Sequence, residues 1–142
     1  MKAYSKHIIL LTPGFPSSEI DDTCIPALHI FAKKLQEEGG VKVSVITVHY
    51  PFTSSTYRWN HCDVYPLGIR NKKRNRLKSY IYQWNILKKI HKEEPIDIIH
   101  SFWLGECALI GHYFSKKHHI KHLTTFMGQD ARKGNKHAYF LP

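Results

Sequence analysis

The run Ile96-Asp97-Ile98-Ile99-His100-Ser101-Phe102-Trp103, set between Pro95 and Gly105, constrains the fold more than any other stretch. Proline stops whatever precedes it, and a short apolar β-branched run then reads as a strand buried on both faces. His100 is expected where that strand ends, followed by Gly105 and an apolar helical pattern from about Glu106 to Lys117. Open α/β sheets receive ligands just beyond the carboxyl ends of their strands. An imidazole at that edge is placed where a substrate would be met.

The same alternation recurs along the chain. His7 to Leu11 predicts a first buried strand, and the loop Thr12-Pro13-Gly14-Phe15-Pro16-Ser17-Ser18 is excluded from helix and central strand alike. Asp21, Asp22 and Thr23 offer N-caps to a helix with Pro26 in its first turn. Ile25, Leu28, Ala32 and Leu35 give that helix its apolar stripe, and Gly39-Gly40 ends it. A second strand is expected over Val41 to Val48 and a short one over Cys62 to Tyr65, closed by Pro66 and Gly68. Tyr50 to Asn60, between them, shows no periodicity. A helix entered through the basic run Arg70 to Lys78 should bury Leu77, Tyr80, Ile81, Trp84, Leu87 and His91. Lys121 to Phe126 predicts the last strand, with Met127-Gly128-Gln129-Asp130 as its terminal loop. Strands alternating with helices point to one domain, residues 1–142, built as a Rossmann-like, doubly wound, mainly parallel α/β sheet.

Composition narrows the function classes. A hydrophobic content of 42% in 142 residues supports a real core. No run of about 18 apolar residues is present, and Ile8 to Leu11 is too short for a signal-peptide core. A cytoplasmic location is expected. Cys24, Cys62 and Cys107 share no metal-ligand spacing and read as reduced core thiols. Eleven histidines invite a metal reading, but His118, His119 and His122 fall at a helix-to-strand turn among lysines, with no H-E-x-x-H and no cysteine pair. They read as a solvated turn, so no metal and no cofactor is expected.

The net charge of +10 calls for an anionic partner: nucleic acid, a membrane surface or a phosphorylated substrate. Arg70, Lys72, Lys73, Arg74 and Arg76 lead into a helix where Lys78, Lys88, Lys89 and Lys92 interleave with Tyr80, Tyr82 and Trp84. Such a helix either lies on an anionic membrane or presents a solvated face over a packed aromatic stripe. A basic nucleic-acid-binding module lacks any RRM, KH, zinc-finger or helix-turn-helix signature. A stand-alone nucleotide-binding module lacks both G-x-G-x-x-G and the P-loop pattern, and Asp21 and Asp22 would repel an anion at the first helix start. In the last loop, Gly128 permits close backbone approach and Gln129 offers donors and an acceptor. Asp130 either caps the next helix or lines the substrate edge.

Thr12-Pro13-Gly14-Phe15-Pro16, Asp97-Ile98-Ile99-His100-Ser101-Phe102-Trp103 and Thr124-Thr125-Phe126-Met127-Gly128-Gln129-Asp130, in that order, resemble the N-terminal half of a GT-B glycosyltransferase of the group 1 (family 4) type. The resemblance covers nearly the whole chain. It implies a hexosyl- or pentosyltransferase that moves a sugar from a nucleotide-sugar donor to a glycan or lipid-linked acceptor, with retention of configuration. It also implies that the donor is gripped by a C-terminal domain absent from these residues, so this part alone would be inactive. Gly14, Phe15, His100, Phe102, Trp103, Met127, Gly128, Gln129 and Asp130 would line the substrate cleft, with Asp130 the one catalytic candidate. Met127 stands where the family often has a histidine, and Pro16-Ser17-Ser18 replaces its paired glycines. The basic residues Arg70 to Arg76 would meet an anionic partner at the inner face of the membrane.

Overall fold

The computed structural model describes residues 4–69 and 75–128. Among them the elements are β1 (His7–Gly14), α1 (Pro26–Gly39), β2 (Lys42–Tyr50), β3 (Tyr57–Trp59), β4 (Cys62–Pro66), α2 (Arg76–Glu93), β5 (Ile98–Phe102), α3 (Glu106–His118) and β6 (Lys121–Thr125). The strands form one sheet in the order β3-β4-β2-β1-β5-β6. Every neighbouring pair is parallel except β3 and β4. The expected doubly wound α/β architecture is the fold of the chain.

Alternate strand residues feed opposite cores, as a pleated strand requires. Ile8 and Leu10, Val43 and Val45, and Phe102 join Leu28 and Ala32 of α1. Ile9 and Leu11, Ile46 and Val48, and Ile99 join Leu87 of α2 and Phe114 of α3. Right-handed crossovers explain why one helix covers one face and two cover the other. The chain steps one way through β1-α1-β2, then returns across the sheet through α2 and α3. No helix among the described residues is long and apolar enough to cross a membrane. Cys62 and Cys107 are buried and form no disulfide among the described residues, and burial pushes the Cys62 thiol up to about 12.

Four local expectations need correction. β1 runs on through Pro13 to Gly14. Its pairing with β5 stops at Leu11, and its register against β2 shifts between Thr12 and Gly14, so Pro13 has no ladder partner to lose. The aperiodic stretch before β4 contains β3, whose hairpin turns through Asn60 (φ 43°) and His61 (φ 70°). Neither Asp21, Asp22 nor Thr23 caps α1; Ile25 holds that position without a side-chain bond, and Pro26 follows it. Helix α2 is rotated from its expected face: Ser79, Gln83, Leu87 and Ile90 are its buried residues, while Leu77 and Ile81 face solvent.

Candidate functional site

The sheet changes direction between β1 and β5: chain order runs outward from β1 through β2 and β4 on one side, and from β5 to β6 on the other. Ligands of open α/β sheets bind in the crevice that opens at such a switch point. A crevice of about 160 Å³ lies there, lined by Pro13, Val48, His49, Arg76, Phe102, Trp103, Gly105, Glu106 and Cys107. Its walls are the carboxyl ends of β1, β2 and β5 and the amino ends of α2 and α3.

Trp103 follows β5 with φ 65°, a left-handed conformation that a bulky side chain adopts only when its surroundings enforce it. Its backbone N–H donates to the Thr125 carbonyl at 3.1 Å, which ties the rim of β5 to β6. Glu106 opens α3 and is 8% exposed. Gln83 Nε2 donates to its Oε1 at 2.8 Å, and the Ser79 hydroxyl donates to the same oxygen. A carboxylate in the first turn also gains from the positive end of the helix. His49 Nδ1 donates to the Ile69 carbonyl at 2.9 Å, which fixes its tautomer, because a carbonyl can only accept. The crevice is thus lined by a buried carboxylate held within the protein, an indole and the exposed Arg76 guanidinium.

Asp21 organises the loop that follows β1. Its carboxylate accepts from the Ser17 N–H and hydroxyl at 2.9 Å each, the Thr23 N–H at 3.1 Å and hydroxyl at 2.7 Å, and the Tyr50 hydroxyl at 2.8 Å. The Ser17 N–H first, then the Thr23 and Tyr50 hydroxyls, hold its carboxyl well below the usual range.

The structure separates residues that the sequence suggested would meet. Phe102 and Trp103 line the crevice. His100 lies mid-strand rather than at the end of β5. It pairs with Leu10, four residues before Gly14 and so about 13 Å down the sheet from it. Its ring turns to the α1 side, stacked on Phe102 at 4.4 Å and edge-on to Phe31, with Nε2 2.7 Å from Thr125 Oγ1. Burial lowers its pKa. Gly14 sits at the end of β1, where a Cβ would come within 3.0 Å of Cys24 Sγ. Phe15 is fully buried and packs edge-on against Trp59 at 5.1 Å, so it belongs to the core. Met127 and Gly128 follow β6 after Phe126. Gln129, Asp130, Arg70, Lys72, Lys73 and Arg74 lie outside the described residues.

Glu106, Arg76 as a crevice residue, and Gln83 were not singled out by sequence reasoning. The signal for Glu106 was its place just after a strand, behind a glycine that starts a helix. His122 also departs from the solvated turn expected of it. Its Nε2 lies 2.8 Å from Ser101 Oγ, and burial brings its pKa down to about 4. Among the described residues no cluster of His, Cys, Asp and Glu could hold a metal ion.

No protein-family model matches the sequence, and no curated protein matches it at a significant level. Among solved structures the chain is similar to sucrose-phosphate synthase from Thermosynechococcus elongatus, with a TM-score of 0.63 and 15% sequence identity. The match covers 92% of this chain and 37% of the synthase, so the chain spans little more than a third of that protein's length. The likeness concerns the fold: a Rossmann-like α/β unit similar to one in that synthase.

Proposed function

We propose that the chain is the acceptor-side domain of a GT-B glycosyltransferase of the group 1 (family 4) kind. The full enzyme would move a sugar from a nucleotide donor to a glycan or lipid-linked acceptor, with retention. The observation that supports this most is the switch-point crevice, where Glu106 and Trp103 stand together in a glycosyltransferase-like fold. An indole covers the apolar face of a pyranose ring, and the buried Glu106 carboxylate pins the start of α3 to α2 beside it. The crevice is lined by a carboxylate and a single exposed guanidinium, an arrangement poorly suited to a nucleotide diphosphate. In this reading a second domain, outside these 142 residues, holds the donor.

Calorimetry and amide NMR on the chain test the assignment. Short glucan and mannan oligosaccharides are expected to shift the Trp103 indole resonance, whereas UDP-glucose and GDP-mannose give no measurable heat. Trp103→Ala weakens the oligosaccharide interaction about tenfold, the effect of losing one aromatic contact of ~1.4 kcal/mol. Tight nucleotide-sugar binding by this chain would overturn the division of labour.

A further inference from the structure

Helices α1 and α2 treat their surface charge differently. On α1, Lys33 and Lys34 are matched one turn later by Glu37 and Glu38, at 4.0 and 2.8 Å. On α2, the exposed Arg76, Lys78, Lys88, Lys89 and Lys92 share the helix with a single acid, Glu93. Among the described residues none of those five forms an ion pair. Positive charge is therefore left uncompensated on one side of the molecule.

That same surface exposes apolar side chains. Leu77 is 65% exposed, Ile81 47% and Tyr82 50%. Leu77, Ile81, Lys88 and Lys92 recur at helical spacing and form one outward row, aliphatic at the start and cationic at the end. Trp84 flanks the row, with Lys117 Nζ of α3 5.5 Å from its ring.

We propose that this face of α2 docks the protein onto an anionic lipid surface. Leu77 and Ile81 enter the boundary between headgroups and acyl chains, and the lysines sit among lipid phosphates. A nucleic-acid strand would satisfy the lysines equally well. It gives branched aliphatic side chains nothing to enter, because its own contacts are phosphates and stacked bases. The proposal is independent of what the crevice binds.

Flotation of the chain with vesicles tests it. Binding is expected on equimolar phosphatidylcholine and phosphatidylglycerol, not on phosphatidylcholine alone, and to fall as added salt shortens the screening length. Lys88→Ala with Lys92→Ala weakens it by roughly fivefold for each lysine removed. Leu77→Ser with Ile81→Ser, which changes no charge, also weakens it by roughly tenfold. All four positions are exposed, and an unchanged urea midpoint confirms that the variants fold. Lys33→Ala with Lys34→Ala, on the other layer, leaves binding within about twofold. Equal binding to neutral vesicles, or none to either, overturns the proposal. So does binding indifferent to the Leu77 and Ile81 substitutions, or a preference for polyuridylate over anionic vesicles, which would give the face to a nucleic acid.

Discussion

Gly111 lets α3 settle onto β5 and β6. A Cβ built there would stand 2.6 Å from His122 Nε2 and collide with Ser101 Oγ as well. Those two atoms are fixed by each other. Ser101 donates its one proton to the Cys107 carbonyl at 3.1 Å, so the 2.8 Å bond to His122 needs the hydrogen on Nε2. In an open helix interior, Gly→Ala would stabilise by up to ~1 kcal/mol. Here overpacking, at about 1–3 kcal/mol, acts against a neighbour that cannot retreat. The clash wins, and Gly111→Ala is expected to lower the unfolding free energy by about 1–2 kcal/mol in urea titration. A more stable variant would mean that α3 stands further from the sheet than described.

At the scale of the element, α2 shows how a helix chooses its buried face. Periodicity alone favours Leu77, Tyr80, Ile81, Trp84 and Leu87, yet Ser79 and Gln83 are fully buried. They turn inward because both donate to Glu106, a carboxylate supplied by a different helix. Gln83→Leu adds apolar volume but removes a donor from a buried charge, a loss of about 2 kcal/mol by chemical denaturation. Leu77→Gln, at a position the pattern marks as core, is expected to stay within ~0.5 kcal/mol of the unchanged protein. The reverse ranking would restore the face that periodicity suggests. The strands β1, β2, β4 and β5 were legible because each buries apolar residues, whereas β6 buries none and was placed by its position after α3. β3 was not, because three residues carry no period and its hairpin turns on Asn60 and His61 rather than glycine. The α1 cap was misread because Asp21 spends its oxygens on Ser17, Thr23 and Tyr50 instead of the helix. Of the candidate site, Phe102 and Trp103 were legible from their strand. Glu106 and Arg76 were not, since only folding brings the starts of α2 and α3 together.

Across the whole molecule, three imidazoles tie the sheet to its surroundings and give it a pH response. His7 begins β1 with Nε2 2.9 Å from Ser44 Oγ, His100 reaches Thr125, and His122 reaches Ser101. Burial lowers all three below 6.5, His122 to about 4. The folded protein therefore keeps these rings neutral at pH values where the unfolded chain has already taken up protons. Below 6.5 the unfolded state binds more protons, so stability falls as the pH drops from 6.5 through each folded value, to about 4 for His122. Above 6.5 the three rings contribute no slope. Asp21 acts in a separate, lower window. Its depressed carboxyl contributes stability above the ordinary value of 3.8, and that contribution is lost only on further acidification. Urea midpoints are thus expected to be level above about pH 6.5 and to decline steadily toward pH 4. His122→Gln, which keeps a side-chain donor near Ser101 but does not titrate, makes that decline shallower. A midpoint that rises on acidification, or a slope untouched by His122→Gln, would show that the sheet tolerates a charged imidazole at this position.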